Sequence, residues 1–289
     1  MTDIPAPGSE RRAILFMLTA VLTFSVMDAT VRGLVPRTGV VPALWARYAG
    51  QMMVVTLLVL PRLTSVARTR HLPTQIIRAT LLMGATGFFF TGLGLIPLTE
   101  ASALMSVNPV LITLGAALFL GERLGPRRIA GIIVAICGAM IIIRPGSDVF
   151  SPAALLPLCA ACCFSGYSLL TRHLGADEDI WTSLFYTGTV GTLVLTILIP
   201  FVWVPLDATS ALMMLTIAVA GTMGQMFLIR AFTVGEAAML APYGYGGLVL
   251  AAFWGLVIYG EVPDLWTIAG AIVISGAGLY VWYRETHRS

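Results

Sequence analysis

Long apolar runs separated by short polar breaks fill almost the whole of this 289-residue chain. The hydrocarbon core of a bilayer, about 30 Å thick, is crossed by ~20 apolar residues wound as a helix. Ten runs near that length stand at about 12–34, 41–60, 76–96, 99–120, 128–144, 152–173, 181–203, 210–230, 236–259 and 265–283. The breaks between them carry proline, glycine and charge, as at Pro36-Arg37, Arg70-His71-Leu72-Pro73, Arg144-Pro145-Gly146 and Val262-Pro263-Asp264. The third and fourth runs almost merge around Gly94–Thr99. The pattern predicts an all-α integral membrane protein with ten transmembrane helices.

Composition agrees. Hydrophobic residues make up 58% and charged residues 11%, where a soluble globule carries about 25% charge to face water. Mean hydropathy is +0.91. All seventeen basic residues are arginines, set singly or in pairs, without the basic stripe and interleaved aromatics that a nucleic-acid partner would need. They read instead as topogenic charge, which collects in cytoplasmic loops. With the N-terminus in the cytoplasm, Arg11, Arg12, Arg62, Arg68, Arg70, Arg78, Arg123, Arg127, Arg128, Arg172, Arg230, Arg284 and Arg288 fall inside, and only Arg37 and Arg144 among the loop arginines fall outside. Both termini are therefore expected in the cytoplasm, with polar tails at 1–11 and 284–289, and the chain in a bacterial inner membrane.

The two halves resemble each other. An offset of 140 residues pairs Ala13 with Ala153, Leu18 with Leu158, Phe24 with Phe164, Ser25 with Ser165 and Arg32 with Arg172. An offset of 139 pairs Gly121-Glu122 with Gly260-Glu261 and Ala130-Gly131 with Ala269-Gly270. Arginine and glutamate in register weigh more than matched leucines. A repeat of five helices, an odd number, enters the membrane from the opposite side the second time. The chain thus divides into a first repeat over 12–144 and an inverted second repeat over 152–283. Inverted repeats with a site near the midplane are a common plan for secondary transporters.

Within the repeats, Thr99-Glu100-Ala101-Ser102-Ala103 leads to Asn108-Pro109, Gly121-Glu122-Arg123-Leu124 and Gly131. The second half has Glu236-Ala237-Ala238, Ala241-Pro242-Tyr243-Gly244-Tyr245, Gly260-Glu261-Val262-Pro263-Asp264 and Gly270. From Ala13 to Tyr283 this resembles the EamA family of the drug/metabolite transporter superfamily, and within it the subgroup with bacterial riboflavin and S-adenosylmethionine importers. Relatives often carry a polar or basic residue where this chain has Gly244. The resemblance implies ten helices in two repeats. It also implies transport by alternating access of a small organic solute, vitamin- or nucleoside-like, such as riboflavin or S-adenosylmethionine. Export of amino acids or other metabolites is the alternative within the class. A membrane-embedded enzyme or a regulatory subunit is the alternative outside it.

Charges within a bilayer are costly and mark candidate sites. Asp28 and Arg32 lie one helical turn apart, and Arg47 lies at similar depth on the next helix. The trio reads either as a structural ion cluster or as a solute and proton site. Glu100 and Glu236 would sit at helix starts, where the dipole favours a carboxylate. Glu122 and Glu261 follow helix ends beside glycine. Asn108-Pro109 and Pro242 with Gly244 interrupt the fourth and ninth runs, since proline removes a backbone donor, and broken helices in matching places point to a binding site. Tyr243 and Tyr245 could line it with amphipathic rings. The candidate substrate or coupling residues are thus Asp28, Arg32, Arg47, Glu100, Asn108, Tyr243 and Tyr245. Cys159, Cys162 and Cys163 lie in an apolar run without histidine and read as packing residues. His71 and His287 fall in a loop and the tail and His173 at the last position of its run, which argues against a histidine-ligated intramembrane metal centre. Neither H-E-x-x-H, G-x-S-x-G nor G-x-x-x-x-G-K-[ST] occurs, so the chain is read as no enzyme, without cofactor, and not driven directly by nucleotide. Its partners are a small solute and lipid, with proton or sodium left open as the coupling ion and the oligomeric state unread.

Overall fold

The computed structural model describes residues 9–120, 126–146, 151–174, 178–234 and 237–286. Among these, the chain forms helices and connecting turns with no strand. In order they are α1 (Ser9–Thr38), α2 (Val40–Val59), α3 (Leu63–Val66), α4 (Leu72–Leu95), α5 (Leu98–Met105), α6 (Asn108–Leu120) and α7 (Pro126–Ile143) in the first half. The second half has α8 (Leu155–Leu174), α9 (Ile180–Val202), α10 (Ala208–Val234), α11 (Ala237–Gly244), α12 (Gly246–Tyr259) and α13 (Leu265–Thr286). Hydrocarbon offers no water to a backbone N–H or C=O, so helices that satisfy both internally are the form apolar runs must take. Nine stretches among the described residues are long and apolar enough to cross a membrane. The expected fifth run is the shorter one, apolar over Ile129–Ile143.

Helix ends follow backbone chemistry rather than hydropathy alone. α1 runs past its expected end to Thr38, carrying Pro36 within its last turn, and stops where Gly39 takes φ 85°. The fourth run breaks at Ser106-Val107, directly before Asn108-Pro109, and the ninth breaks at Tyr245, after Pro242. Ser106 and Tyr245 stand 139 residues apart, the same offset that aligns the Gly-Glu pairs. The fourth and ninth apolar runs are thus interrupted in register.

Each long helix of one half lies along a helix of the other: α1 on α10, α4 on α8, α2 on α9 and α7 on α13. Glycines set these contacts by letting backbones approach. Gly224 meets Phe24 while Gly33 meets Met213, so numbers fall along α10 as they rise along α1. Gly84 meets Cys163 and Gly92 meets Pro157; Gly188 meets Met52 and Gly191 meets Tyr48; Gly131 meets Val281 and Gly138 meets Ile274. All four pairs are antiparallel. A Cβ at Gly188 would lie 3.0 Å from the Met52 backbone nitrogen, and one at Gly270 would lie 2.6 Å from the Gly138 carbonyl.

The outer surface is apolar, with Phe201, Ile197, Val249 and Ile272 among its exposed side chains, while Arg47, Gln51, Arg78 and Gln225 are buried. This inside-out arrangement is what lipid demands.

Candidate functional site

A layer of buried polar side chains crosses the interior. Arg47 of α2 is 3% exposed, and its guanidinium stands 5.4 Å over the ring of Tyr48. The Tyr48 hydroxyl shares a 2.7 Å hydrogen bond with Thr86 of α4. Tyr167 of α8 accepts from the Gln225 amide of α10 at 2.8 Å, and its ring lies 5.2 Å beneath the guanidinium of Arg78. Arg78, 1% exposed, donates to the Ser183 carbonyl at 2.7 Å and to the hydroxyls of Thr187 and Thr171 at 3.2 Å each. Gly221 of α10 admits this layer: it faces Met27 of α1 and the Arg47 side chain together. Asp28 therefore comes to the level of Arg47 and lies within its electrostatic reach. Asp28 and Arg47 do not form an ion pair; the described ion pairs are elsewhere.

Those ion pairs stand at one end of the bundle, and each joins an arginine of the first half to a carboxylate of the second. Arg32 donates through Nε and Nη2 to Glu261 Oε1 at 3.0 and 2.8 Å, and through Nη1 to the Leu93 carbonyl at 2.7 Å. Glu261 Oε2 accepts from the Leu98 N–H at 2.8 Å, satisfying an otherwise orphaned donor at the start of α5. One arginine and one glutamate thereby tie the ends of α1, α4, α5 and α12. The backbone places Glu261. Gly260 takes the left-handed conformation at φ 65° to end α12, and the Glu261 N–H returns to the Gly255 carbonyl at 2.9 Å. Beside this clasp, Arg144 pairs with Asp264 at 2.6 Å and Arg37 with Asp207 at 3.1 Å. Burial alone would raise the Asp264 carboxyl, but the Thr267 hydrogen bonds and Arg144 outweigh it and hold its pKa below the ordinary value of 3.8. Hydrogen bonds from Ser210 lower Asp207 in the same direction. At the other end of the bundle, Thr69 and Gln75 donate to Glu178, and the Tyr186 hydroxyl donates to the Ala67 carbonyl.

The structure thus gathers some of the predicted residues and separates others. Asp28 and Arg47 share the buried layer. Arg32, one turn from Asp28, turns instead to Glu261. Glu100 lies in the first turn of α5, and its surroundings include Arg144 and Asp264. Asn108, at the start of α6, accepts the Ser165 hydroxyl at 2.8 Å. Ser25, the repeat counterpart of Ser165, accepts from the Trp254 indole of α12 at 3.1 Å. Tyr245 packs against Gly278 of α13, and Tyr243 packs among apolar residues of α1 and α10, so neither ring joins the Arg47 layer. Glu122 and Glu236 lie outside the described residues, as does the Arg172 side chain. Arg78 corrects the charge count: expected as a cytoplasmic arginine, it is buried within α4. Cys137, Cys159 and Cys162 are exposed on the apolar surface, and all four cysteines are free. Two shallow surface depressions, between α1 and α10 around Leu22 and on α2 around Met53, are apolar and stand apart from these charges.

Comparison with known proteins places this geometry. The sequence model of the EamA-like transporter family matches residues 11–144 and, a second time, 151–283. The chain is 34% identical over 273 residues to the pseudopaline exporter CntI of Pseudomonas aeruginosa, covering 91% of this chain and 93% of that one. It is 32% identical over 284 residues to a riboflavin transporter of Rhizobium johnstonii, covering 95% and 92%. It is 26% identical over 211 residues to an S-adenosylmethionine uptake transporter of Rickettsia prowazekii, covering 73% and 72%. A solved crystal structure shares the fold with a TM-score of 0.66 at 21% identity, across 95% of this chain and 98% of the other.

Proposed function

The chain belongs to the EamA-like transporter family, and on that premise we propose that it is a secondary transporter of a small organic metabolite. It works by alternating access between two inverted five-helix halves in a bacterial inner membrane. The observation that carries this reading is the clasp of Arg32, Glu261 and Leu98, which closes one end of the bundle over the buried layer of Asp28 and Arg47. A layer of charge at mid-membrane, sealed on one side by bonds between two halves, is what one state of such a cycle requires.

The antiparallel helix pairs support ten crossings. If α7 did not cross, α10 would run parallel to α1, and Arg37 would face Asp207 from the opposite side of the membrane. The paired serines Ser25 and Ser165, each bonded to the other half, and the breaks at Ser106 and Tyr245 support a two-fold relation between the halves. In this reading Arg37, Arg144, Asp207 and Asp264 lie outside, the Thr69–Glu178 contact lies inside, and both termini are cytoplasmic. Asp28 and Arg47 bind the solute or its coupling ion, Arg32 and Glu261 form the outer gate, and Asn108 joins the halves at the break in the fourth span. The riboflavin, S-adenosylmethionine and pseudopaline of the relatives are the first candidate solutes.

Counterflow of labelled riboflavin, S-adenosylmethionine and an amino-acid panel into proteoliposomes tests the proposal. Saturable flux above protein-free vesicles is expected for at least one solute, and it should be lost in Asp28→Asn or Arg47→Gln at unchanged reconstitution. Flux absent for the whole panel in both directions would count against transport of these classes. Catalytic turnover of a panel member would refute the reading.

A further inference from the structure

We infer that the transported solute carries a carboxylate, and that Arg47 receives it. The inference rests on the transport reading above and names the solute's chemical class. Arg47 is 3% exposed, and its buried Nε has no hydrogen-bond partner. None of the described ion pairs includes it, and its close aromatic contact is the face of Tyr48. A buried guanidinium normally forks onto a carboxylate, because its parallel donors match two oxygens. Here the buried Nε of that fork is left unmet by the described residues.

The charge balance of the layer points the same way. Arg78 is the second buried guanidinium, and its three hydrogen bonds go to a carbonyl and two hydroxyls, all neutral. Asp28 is the acid at this level, near enough to act on Arg47 electrostatically but not paired with it. Among the described residues two cations face one anion, so this layer carries a surplus positive charge at a depth where charge is costly. A solute with one carboxylate removes that surplus and fills the fork. A phosphate dianion would bring its second charge against Asp28, and an uncharged flavin would leave both the surplus and the fork in place. The nearby Tyr48 ring and the narrow approach at Gly221 suit a flat monoanionic group.

The test is untargeted mass spectrometry of cytosol and medium from cells expressing the wild-type chain, Arg47→Gln or Arg47→Lys, against cells with an empty vector. Membrane abundance of each variant is measured alongside. The expected result is that the compounds redistributed by the wild type carry carboxylates. Their transmembrane ratio should fall about tenfold or more in Arg47→Gln, the size of a lost charge-assisted bond, and should be partly kept by Arg47→Lys. Redistribution confined to neutral, cationic or phosphate-bearing compounds would overturn the inference while leaving transport intact. So would carboxylates moved equally well by Arg47→Gln. No redistribution by the wild type would remove the transport reading, and this inference with it. If Arg47→Gln does not reach the membrane, Arg47→Lys decides: a reduced ratio supports the assignment and an unchanged one overturns it.

Discussion

Substituting Glu261 by Gln removes one charge and leaves the shape almost unchanged. The side chain now serves two neighbours through two oxygens: Oε1 takes Arg32 Nε and Nη2, and Oε2 takes the Leu98 N–H. A glutamine amide has a single acceptor oxygen, so either the guanidinium or the helix N–H must go unmet. The pair is 21% and 15% exposed, too buried for water to make up the loss fully. Charge-assisted bonds contribute about 1.5–3 kcal/mol, and an orphaned buried donor costs about 1–3 kcal/mol. The net loss for the closed end is about 3 kcal/mol. At about 1.4 kcal/mol per tenfold, this shifts the equilibrium between closed and open outer ends on the order of 100-fold. Leu34, 0% exposed and two residues beyond Arg32 on α1, reports it when changed to cysteine in a chain whose native cysteines are serines. A membrane-impermeant maleimide applied from outside should label Leu34→Cys at least tenfold faster when Glu261→Gln is present. Labelling within twofold of the Glu261 parent, at equal membrane abundance, would show that this contact does not hold the outer end shut.

Reporter fusions near Asp207 and Pro263 should read outside, and fusions within Arg62–His71 and at Ser289 should read cytoplasm; a cytoplasmic signal at Asp207 would remove the inverted second half. Exchanging charges as Asp28→Arg with Arg47→Asp should leave a folded protein that does not transport, whereas full flux would make the two residues a mere neutralising pair. Gly270→Val should lower the melting temperature by the equivalent of about 1–3 kcal/mol through overpacking against the Gly138 carbonyl, while Gly276→Val, with open space around it, should change it little. The Arg144–Asp264 contribution is present above the ordinary carboxyl value of 3.8 and is lost as pH falls through the lower native one. The melting-temperature gap between wild type and Asp264→Asn should therefore hold from pH 8 to about pH 4 and close below it.

Hydropathy carried most of the fold, because lipid leaves an apolar run few alternatives to a helix. Proline carried the breaks before Asn108 and after Pro242, and the cost of buried charge singled out Asp28 and Arg47. What escaped the sequence were rotations and long-range partners. Arg78 read as a topogenic charge since it stands one turn and a half into α4, where a loop arginine and a buried one have the same neighbours in sequence. Arg32 looked like a partner for Asp28, the nearest acid on its face, while its true partner lies 229 residues away. Yet Arg32 and Glu261 each have a repeat counterpart, in Arg172 and Glu122, and that shared register was the available signal for joining them. Tyr243 and Tyr245 suggested a cavity from their amphipathic rings, but the break at Tyr245 sets the rotation of α11 and α12 and sends the rings to other helices.

The glycine contacts of α7 and α13 have a further consequence. Gly131 meets the Ala277 carbonyl region while Gly138 meets the Gly270 carbonyl, and under the repeat offset of 139 each contact is the image of the other. A surface whose contacts map onto themselves in this way is isologous, the kind a symmetric homodimer uses. The two helices accordingly bring corresponding positions to the contact, Gly131 and Gly138 from α7 and Gly270 and Ala277 from α13. If like pairing of such faces competes with the unlike one, the covalent link between residues 144 and 151 favours the unlike pair by raising its effective concentration, and separately made halves would lose that advantage.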